Sequence, residues 1–144
     1  MSREIKFRGK RLDNTEWVYG NLVKMHCVNG REAFTDGIQI EYREFHYASI
    51  EVDPETVGQF TGLKDKNGKE IYEGDIVNAE MNDIVRQKGK WVTKTKVEKF
   101  FVEWVQDDTG FRFRGIDNVN WTMKDTVMEV VGNIHENPEL LVQE

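Results

Sequence analysis

The segment Thr61–Val77, with the sequence TGLKDKNGKEIYEGDIV, constrains the fold more than any other part of this chain. Its Asn67–Gly68 step lies in a polar stretch, where the backbone can adopt a positive φ at little cost. An extended run resumes at Ile71–Tyr72, and Gly74–Asp75 then leads into Ile76–Val77. The segment therefore predicts a tight turn between two strands, followed directly by the entry to a third strand.

Further strands are predicted wherever apolar and polar residues alternate or β-branched and aromatic residues dominate. The clearest of these runs are Ile38–Tyr42, Tyr47–Val52, Trp91–Val105, Phe111–Arg114 and Val127–Val131. A helix is conceivable over Val97–Val105, but β-branched and aromatic residues dominate there and favour a strand. We therefore expect a mainly β protein with few or no long helices. Five short strands after residue 57, joined by turns, predict a small SH3-like β-barrel.

Asp53–Pro54 marks the predicted boundary between two subdomains. Asp53 can cap a single helical turn that has Pro54 in its first position and Glu55 beside it. Residues 1–52 would then form an amino-terminal β-rich subdomain, built around a β-hairpin, and residues 53–144 the small β-barrel. A hinge of this kind is short, so the two parts could also form one compact unit.

Charge and cysteine content limit the classes of function. The chain of 144 residues has 20 basic and 26 acidic residues, a formal net charge of −6. An acidic total disfavours a general nucleic-acid binder, which needs Lys and Arg to displace counterions from phosphates. The single cysteine, Cys27, excludes an internal disulfide and suits a reducing compartment. With no apolar stretch of membrane-spanning length, we expect a cytoplasmic protein with no membrane partner.

No pattern of catalytic or metal-binding residues stands out. The three histidines, His26, His46 and His135, are not spaced as in a zinc site, and His26 and Cys27 are neighbours that would point to opposite faces of a strand. Glu73 and Asp75 suit a structural role at a strand entry better than an acid–base pair. We therefore expect no catalytic residues, no metal and no cofactor, and hence no enzyme.

The run Asn78–Lys90 is polar and long for a hairpin loop. It buries too little apolar surface to offset its own ordering entropy, which predicts a mobile loop that becomes ordered on a partner or on a second copy of the chain. Ile84 and Val85 would anchor such a contact beside Arg86, so these three residues form the candidate interaction loop.

A second candidate surface combines aromatic and cationic side chains between residues 91 and 114. Aromatic rings can stack on bases while cations bind phosphates, so the stretch could form a nucleic-acid-binding face. Its candidate residues are Trp91, Lys94, Lys96, Trp104, Arg112 and Arg114. The acidic net charge favours the structural interpretation, in which half of the rings fill the core and cationic stems cover the others.

Several stretches resemble the YopX-like proteins of bacteriophages and prophages. The matching stretches are Lys6–Lys10, Trp17–Gly20, Asp53–Asp65, Asn67–Val77 and Val131–Leu141. They span the chain from end to end, although Met25–Ile50 and Ala79–Lys90 carry none of the pattern. The resemblance implies a small, β-rich, phage-encoded protein, and it brings no catalytic residues with it.

The sequence thus favours two functions over a third, an enzyme with an unrecognised site. The first is a non-catalytic protein-interaction module, a phage accessory protein that binds another protein or a second copy of itself. The alternative is a nucleic-acid-binding accessory factor that uses the stretch 91–114.

Overall fold

The computed structural model describes residues 4–26, 34–43, 46–105, 110–115, 120–121 and 127–142. Within these residues, eleven strands and two short 3-10 helices account for the regular structure, and no helix is longer than four residues. The prediction of a mainly β protein without long helices is confirmed. Contacts divide the chain into two compact units, Met1–Gly62 and Leu63–Glu144. The boundary predicted from the sequence, after residue 52, lies ten residues before this one.

The first unit is an antiparallel sheet. Its strands are β1 (Phe7–Lys10), β2 (Trp17–His26), β3 (Phe34–Arg43), β4 (His46–Glu51) and β5 (Gly58–Lys64), in the order β4-β3-β2-β1-β5. Strand β5 runs two residues past the boundary between the units, and β6 (Glu70–Tyr72) follows it along the chain in the second unit. Among the residues of this unit that the structure describes, the buried apolar side chains are Ile38, Val52 and Phe60.

The predicted helical turn after Asp53 is confirmed. Residues Pro54–Thr56 form a 3-10 helix, and the Asp53 carboxylate accepts a hydrogen bond of 3.0 Å from the Glu55 N–H. The turn therefore follows from local cap chemistry: Asp53 satisfies a free N–H, and Pro54 occupies a position that needs none.

The second unit contains a five-stranded antiparallel sheet. Its strands are β7 (Asp75–Gln87), β8 (Lys90–Val105), β9 (Gly110–Gly115), β10 (Asn120–Trp121) and β11 (Met128–Asn133), in the order β10-β9-β8-β7-β11. Its core consists of Ile71, Val77, Ala79, Phe100, Val102 and Met128. The 3-10 helix Pro138–Leu141 follows β11 along the chain.

An Asp65-centred turn joins β5 to β6, where the sequence predicts it. Gly68 has φ +81°, and one carboxylate oxygen of Asp65 accepts hydrogen bonds of 2.9 Å from the N–H groups of Asn67 and Lys69. Gly74, with φ +91°, turns the chain into β7. Both glycines occupy the left-handed region, which side chains with a Cβ rarely adopt.

The SH3-like barrel prediction requires correction. The strands described in the second unit form an open sheet, with β10 and β11 at its edges, and the sheet is not closed. The physical reason lies in the edge strands. Closure requires the two edges of a sheet to pair, and among the described residues β10 pairs with β9 alone and β11 with β7 alone.

The prediction of a loop at Asn78–Lys90 is wrong. Asn78 to Gln87 lie inside β7, and Lys90 begins β8, so only Lys88 and Gly89 are left to form a turn. Pairing with β8 is the physical reason, because the backbone ladder supplies the order that the apolar content of this run does not. Whether the segment contacts a partner stays a prediction.

Candidate functional site

The outer part of the β7–β8 hairpin is the most distinctive feature of the second unit. Strand β11 pairs with β7 only as far as Ala79, and β9 pairs with β8 only from Phe100 onwards. Residues 81–96, here called the arm, therefore form a two-stranded ribbon with no third strand among the described residues. Six residue steps from Met81 to Gln87 give the arm a length of about 20 Å.

A two-residue turn closes the arm. Gln87 pairs with Lys90, and the intervening Lys88 and Gly89 have φ values of +50° and +77°. Positive φ at both central positions matches the twist of antiparallel strands, which is why such turns dominate tight hairpins. The turn therefore fixes the register of every pair on the arm.

The two faces of the arm differ in exposure. Side chains alternate along each strand, and directly paired residues share a face. One face, here called the open face, is exposed at every position and consists of Asn82, Ile84, Arg86, Trp91, Thr93 and Thr95. On the opposite face the apolar Met81, Val85 and Val92 are half-buried, and Lys90, Lys94 and Lys96 are exposed.

The open face presents an aromatic ring close to the turn. Trp91 is 71% exposed and pairs with Arg86, whose guanidinium carbon lies 5.9 Å from the centre of the indole ring. That distance suits a cation–π contact. Further from the turn, the Thr95 hydroxyl donates a hydrogen bond of 2.9 Å to the Asn82 side chain. The open face therefore combines a cation–π pair with hydrogen-bonding groups.

The lysines of the arm differ in their partners. The Lys96 ammonium forms salt bridges of 2.9 Å with Glu98 and Asp83. Its hydrogen bond to the Glu98 carboxylate is the largest cause of a raised Lys96 pKa, and its hydrogen bond to Asp83 is the next largest. Lys88, Lys90 and Lys94 are exposed and have no salt bridge within the described part of the chain. These three ammonium groups are available to an anionic ligand.

Charge is strongly segregated along this chain. Five of its 20 basic residues and one of its 26 acidic residues lie in the arm, so the arm carries +4 and the rest of the chain −10. At physiological salt, the screening length is about 8 Å, less than half the length of the arm. The end of the arm therefore presents a positive field despite the acidic total.

The candidate interaction residues lie on the arm but not on one surface. Ile84, 71% exposed, and Arg86 belong to the open face, whereas Val85 is half-buried on the opposite face. Ile84 and Val85 therefore do not form the adjacent anchoring pair that the sequence analysis expects, because neighbours in a strand point in opposite directions.

The structure also separates the candidate nucleic-acid-binding residues. Trp91, Lys94 and Lys96 lie on the arm, whereas Trp104 lies beyond it in β8. The backbone N–H of Trp104 donates a hydrogen bond of 3.3 Å to the Glu73 side chain. Arg112 and Arg114 lie in β9, with Glu103 and Phe101 as their register partners in β8. Sequence reasoning missed Lys88 and Lys90. Recognising Lys88–Gly89 as a hairpin turn would have brought both into the site.

Outside the arm, the Asp75 side chain has a structural role. Asp75 is 1% exposed and accepts a 2.8 Å hydrogen bond from the Tyr72 N–H. The backbone N–H of His135 donates a hydrogen bond of 3.0 Å to the Asn133 side chain. His46 is exposed, and Cys27 lies outside the described residues. Among the residues searched, no group of three or more His, Cys, Asp or Glu side chains is placed to hold a metal ion.

No helix within the described residues has the length and apolar character needed to cross a membrane.

Comparison with known proteins gives a family match over nearly the whole chain. Residues 6–142 match the family model described as YopX protein. A similar solved structure is the crystal structure of protein EF1440 from Enterococcus faecalis, which is 26% identical. The alignment covers 98% of this chain and 100% of that chain, with a TM-score of 0.50. No curated protein matches the sequence.

Proposed function

This chain belongs to the YopX protein family, and from that premise we propose that it is a non-catalytic accessory protein that binds nucleic acid through the arm. The proposal rests on the concentration of positive charge on the arm, which has a net charge of +4. We further propose that the protein is encoded by a phage or prophage and works in the cytoplasm of the bacterial host. The net charge of −6 favours a protein-interaction module over nucleic-acid binding, and the concentration of positive charge on the arm is our reason for reversing that order.

Charge segregation matters because phosphate binding is local. Lysine and arginine side chains bind a nucleic acid by displacing the cations condensed on its phosphates. Only the cations that reach the backbone take part, so the charge of a protruding element counts for more than the total charge of the protein. The arm offers Arg86, Lys88, Lys90 and Lys94 over about 20 Å, with a single acidic residue, Asp83, which is bound to Lys96.

Salt dependence tests this proposal quantitatively. Four phosphate contacts predict that the logarithm of the binding constant falls with the logarithm of salt concentration with a slope of about −3 to −4. Fluorescence anisotropy of a labelled 20-nucleotide oligonucleotide, titrated at several salt concentrations between 50 and 200 mM, measures that slope. The triple variant Lys88→Gln/Lys90→Gln/Lys94→Gln is expected to bind at least 10-fold more weakly and to reduce the slope by about 2 to 3.

A matched control removes the same charge elsewhere. Lys64, Lys66 and Lys69 are exposed lysines around the β5–β6 turn, outside the arm. The triple Gln variant at these positions is expected to retain the affinity and slope of the parent chain. Absence of binding at 50 mM salt, or equal losses in both triple variants, would refute the arm as a nucleic-acid-binding element.

The protein-interaction module remains a second candidate, supported by a different observation. Both outer edges of the arm lack a partner strand among the described residues, and such edges can accept a strand from another chain. Ile84, 71% exposed, would add apolar contact area. The lysines of the arm oppose pairing with a second copy through like-charge repulsion, so we rank this function below nucleic-acid binding.

Self-association tests the second candidate directly. Sedimentation equilibrium over a 100-fold range of protein concentration would reveal a homo-oligomer built through the arm, and Ile84→Ser would weaken it. A concentration-independent monomer would exclude a second copy as the partner.

A further inference from the structure

The packing of the residues that the structure describes leaves Trp91 largely exposed. Its side chain is 71% exposed near the end of the arm, while the core side chains Val77, Ala79 and Phe100 lie at the other end of the hairpin. Indole is among the largest apolar groups in proteins, and burying it is strongly favourable. A ring left open at this position has surface available for a ligand.

The ring is held in place by its surroundings. Only one residue pair, Gln87 with Lys90, separates the Arg86–Trp91 pair from the two-residue turn. The Arg86 guanidinium carbon lies over the indole, 5.9 Å from its centre, so the ring has a cation–π partner. Little further ordering of the backbone is needed before a flat group can stack on the ring, which lowers the entropic cost of binding.

Cations lie on both sides of the ring along the same strand. Lys90 immediately precedes Trp91, and Lys94 follows it, four residues and about 13 Å from Lys90. Lys88 lies in the turn. Lys90 and Lys94 lie on the face opposite Trp91, and their long side chains can extend past the edge of the two-stranded ribbon towards a nucleic acid bound at the ring. One short length of strand thus presents a stacking surface together with phosphate-binding groups.

We infer that Trp91 and Arg86 stack on an unpaired base, and hence that the arm selects a single-stranded nucleic acid. This inference rests on the proposed nucleic-acid-binding function and names its substrate class. Every base has a π-face, so stacking of this kind tolerates any sequence. In a duplex the faces of the bases are covered by their neighbours, and the ring gains a contact only after a base pair has been unstacked.

A duplex offers one competing geometry. The major groove is wide enough to admit a two-stranded β-ribbon, and the open face carries Asn82 and Thr93, which can contact base edges. In that geometry affinity depends on the lysines, and an indole ring has no stacked partner. The two geometries therefore make opposite predictions for substitutions at Trp91.

Binding measurements with two probes separate the geometries. The probes are a mixed-sequence 20-nucleotide single strand and the duplex of the same sequence, each titrated at 100 mM salt. We expect the single strand to bind more tightly. Trp91→Ala is expected to weaken single-strand binding on the order of 10- to 100-fold while leaving duplex binding unchanged. Tyr47→Ala, which removes an exposed aromatic ring in β4, serves as the control and is expected to change neither affinity.

Fluorescence supplies a readout that a structural role would not change. Stacking on a base quenches indole emission, and the chain contains four tryptophans. Trp91→Phe keeps a ring that can stack, so it is expected to retain most of the single-strand affinity and to lose the largest part of the quenching. Retained quenching in Trp91→Phe would place the base at another tryptophan and overturn the inference.

The outcomes distinguish this inference from the proposed function. Equal affinity for the two probes, with Trp91→Ala unchanged and the arm-lysine triple variant impaired, would refute base stacking but leave nucleic-acid binding through the arm intact. If neither probe binds, both proposals fail. In that case, self-association that depends on Ile84 would identify the arm as a protein-binding element.

Discussion

Replacing Asp65 with Asn should destabilise the second unit through a single misplaced hydrogen-bond donor. The Asp65 side chain is buried, with 7% exposure, and its two carboxylate oxygens have different partners. One oxygen accepts 2.9 Å bonds from the Asn67 and Lys69 N–H groups, and the other accepts a 3.0 Å bond from the Val130 N–H. Asp65 therefore ties the β5–β6 turn to β11, at the position where Val130 pairs with Val77 of β7.

The size of the effect follows from these contacts. An Asn side chain can keep the bonds to Asn67 and Lys69 through its oxygen, but it then turns an NH₂ group towards the Val130 N–H. One hydrogen bond to a charged group is lost and a partly buried donor is left unsatisfied, which costs about 1.5–3 kcal/mol. Asp65→Ala removes all three bonds and is expected to cost about 3–5 kcal/mol, less than three times one bond because the three share one carboxylate.

The loss should also depend on pH. Burial is the largest single influence on the pKa of Asp65 and raises it, but the N–H bonds from Val130, Lys69 and Asn67 together outweigh burial, so the pKa lies below the ordinary value of 3.8. A depressed folded-state pKa means that the carboxylate stabilises the fold above about pH 4. This stabilisation is lost as the pH falls through the folded-state pKa. Asp65→Asn has no such carboxylate, so the stability gap to the parent chain should shrink below pH 4.

Urea unfolding at pH 7 and at pH 3 measures the difference in unfolding free energy between the parent chain and Asp65→Asn. Faster hydrogen exchange of the Val130 amide in the variant would show that the stability is lost at this contact. Asp53→Asn is a suitable control, because the Asp53 side chain accepts an N–H bond from Glu55 at an exposed cap, where the expected cost is about 1 kcal/mol or less. An Asp65→Asn variant as stable as the parent chain at pH 7 would refute the reasoning. A gap of equal size at both pH values would refute the part that depends on ionisation.

Three further substitutions test the backbone and the packing. Gly68→Val should cost about 1–2 kcal/mol in urea unfolding from its φ of +81° alone, because a Cβ there meets no atom within 4 Å; an unchanged midpoint would contradict the turn. Gly9→Ala should cost about 1–3 kcal/mol, because the new Cβ would lie 2.8 Å from a methyl group of buried Val52; a neutral effect would contradict the close approach. Gly89→Val, at φ +77°, should speed hydrogen exchange across residues 81–96 while leaving the urea midpoint nearly unchanged; a large midpoint shift would show that the arm supports the core.

Features that depend on neighbouring residues were predictable from the sequence. The Asn67–Gly68 turn, the Asp53 cap and the strands with alternating polarity need only local information, because each reflects the backbone preference or hydrogen bonding of a few consecutive residues. Family membership was predictable for the same reason, since its signatures are contiguous. The absence of long helices was predictable from the predominance of β-branched and aromatic residues, which favoured a strand over a helix at Val97–Val105.

The arm was not predictable in the same way. Read alone, Asn78–Lys90 is too polar to order itself, and only its pairing with β8 makes it a strand. That pairing depends on a partner segment and on recognising a positive φ at Lys88, a residue type that seldom adopts it. The same limit applies to the Asp65–Val130 bond, which joins residues 65 positions apart.

The sequence by itself determined a β-rich chain of known family, with local turns in the right places and a net charge of −6. Only the tertiary structure decided where that charge acts. Strand pairing makes the arm, with its net charge of +4, a two-stranded ribbon that extends from the five-stranded sheet. The same pairing places Trp91 opposite Arg86 near the end of the arm. Composition sums charges regardless of position, whereas screening makes electrostatic binding depend on which charges lie within about 8 Å of the ligand.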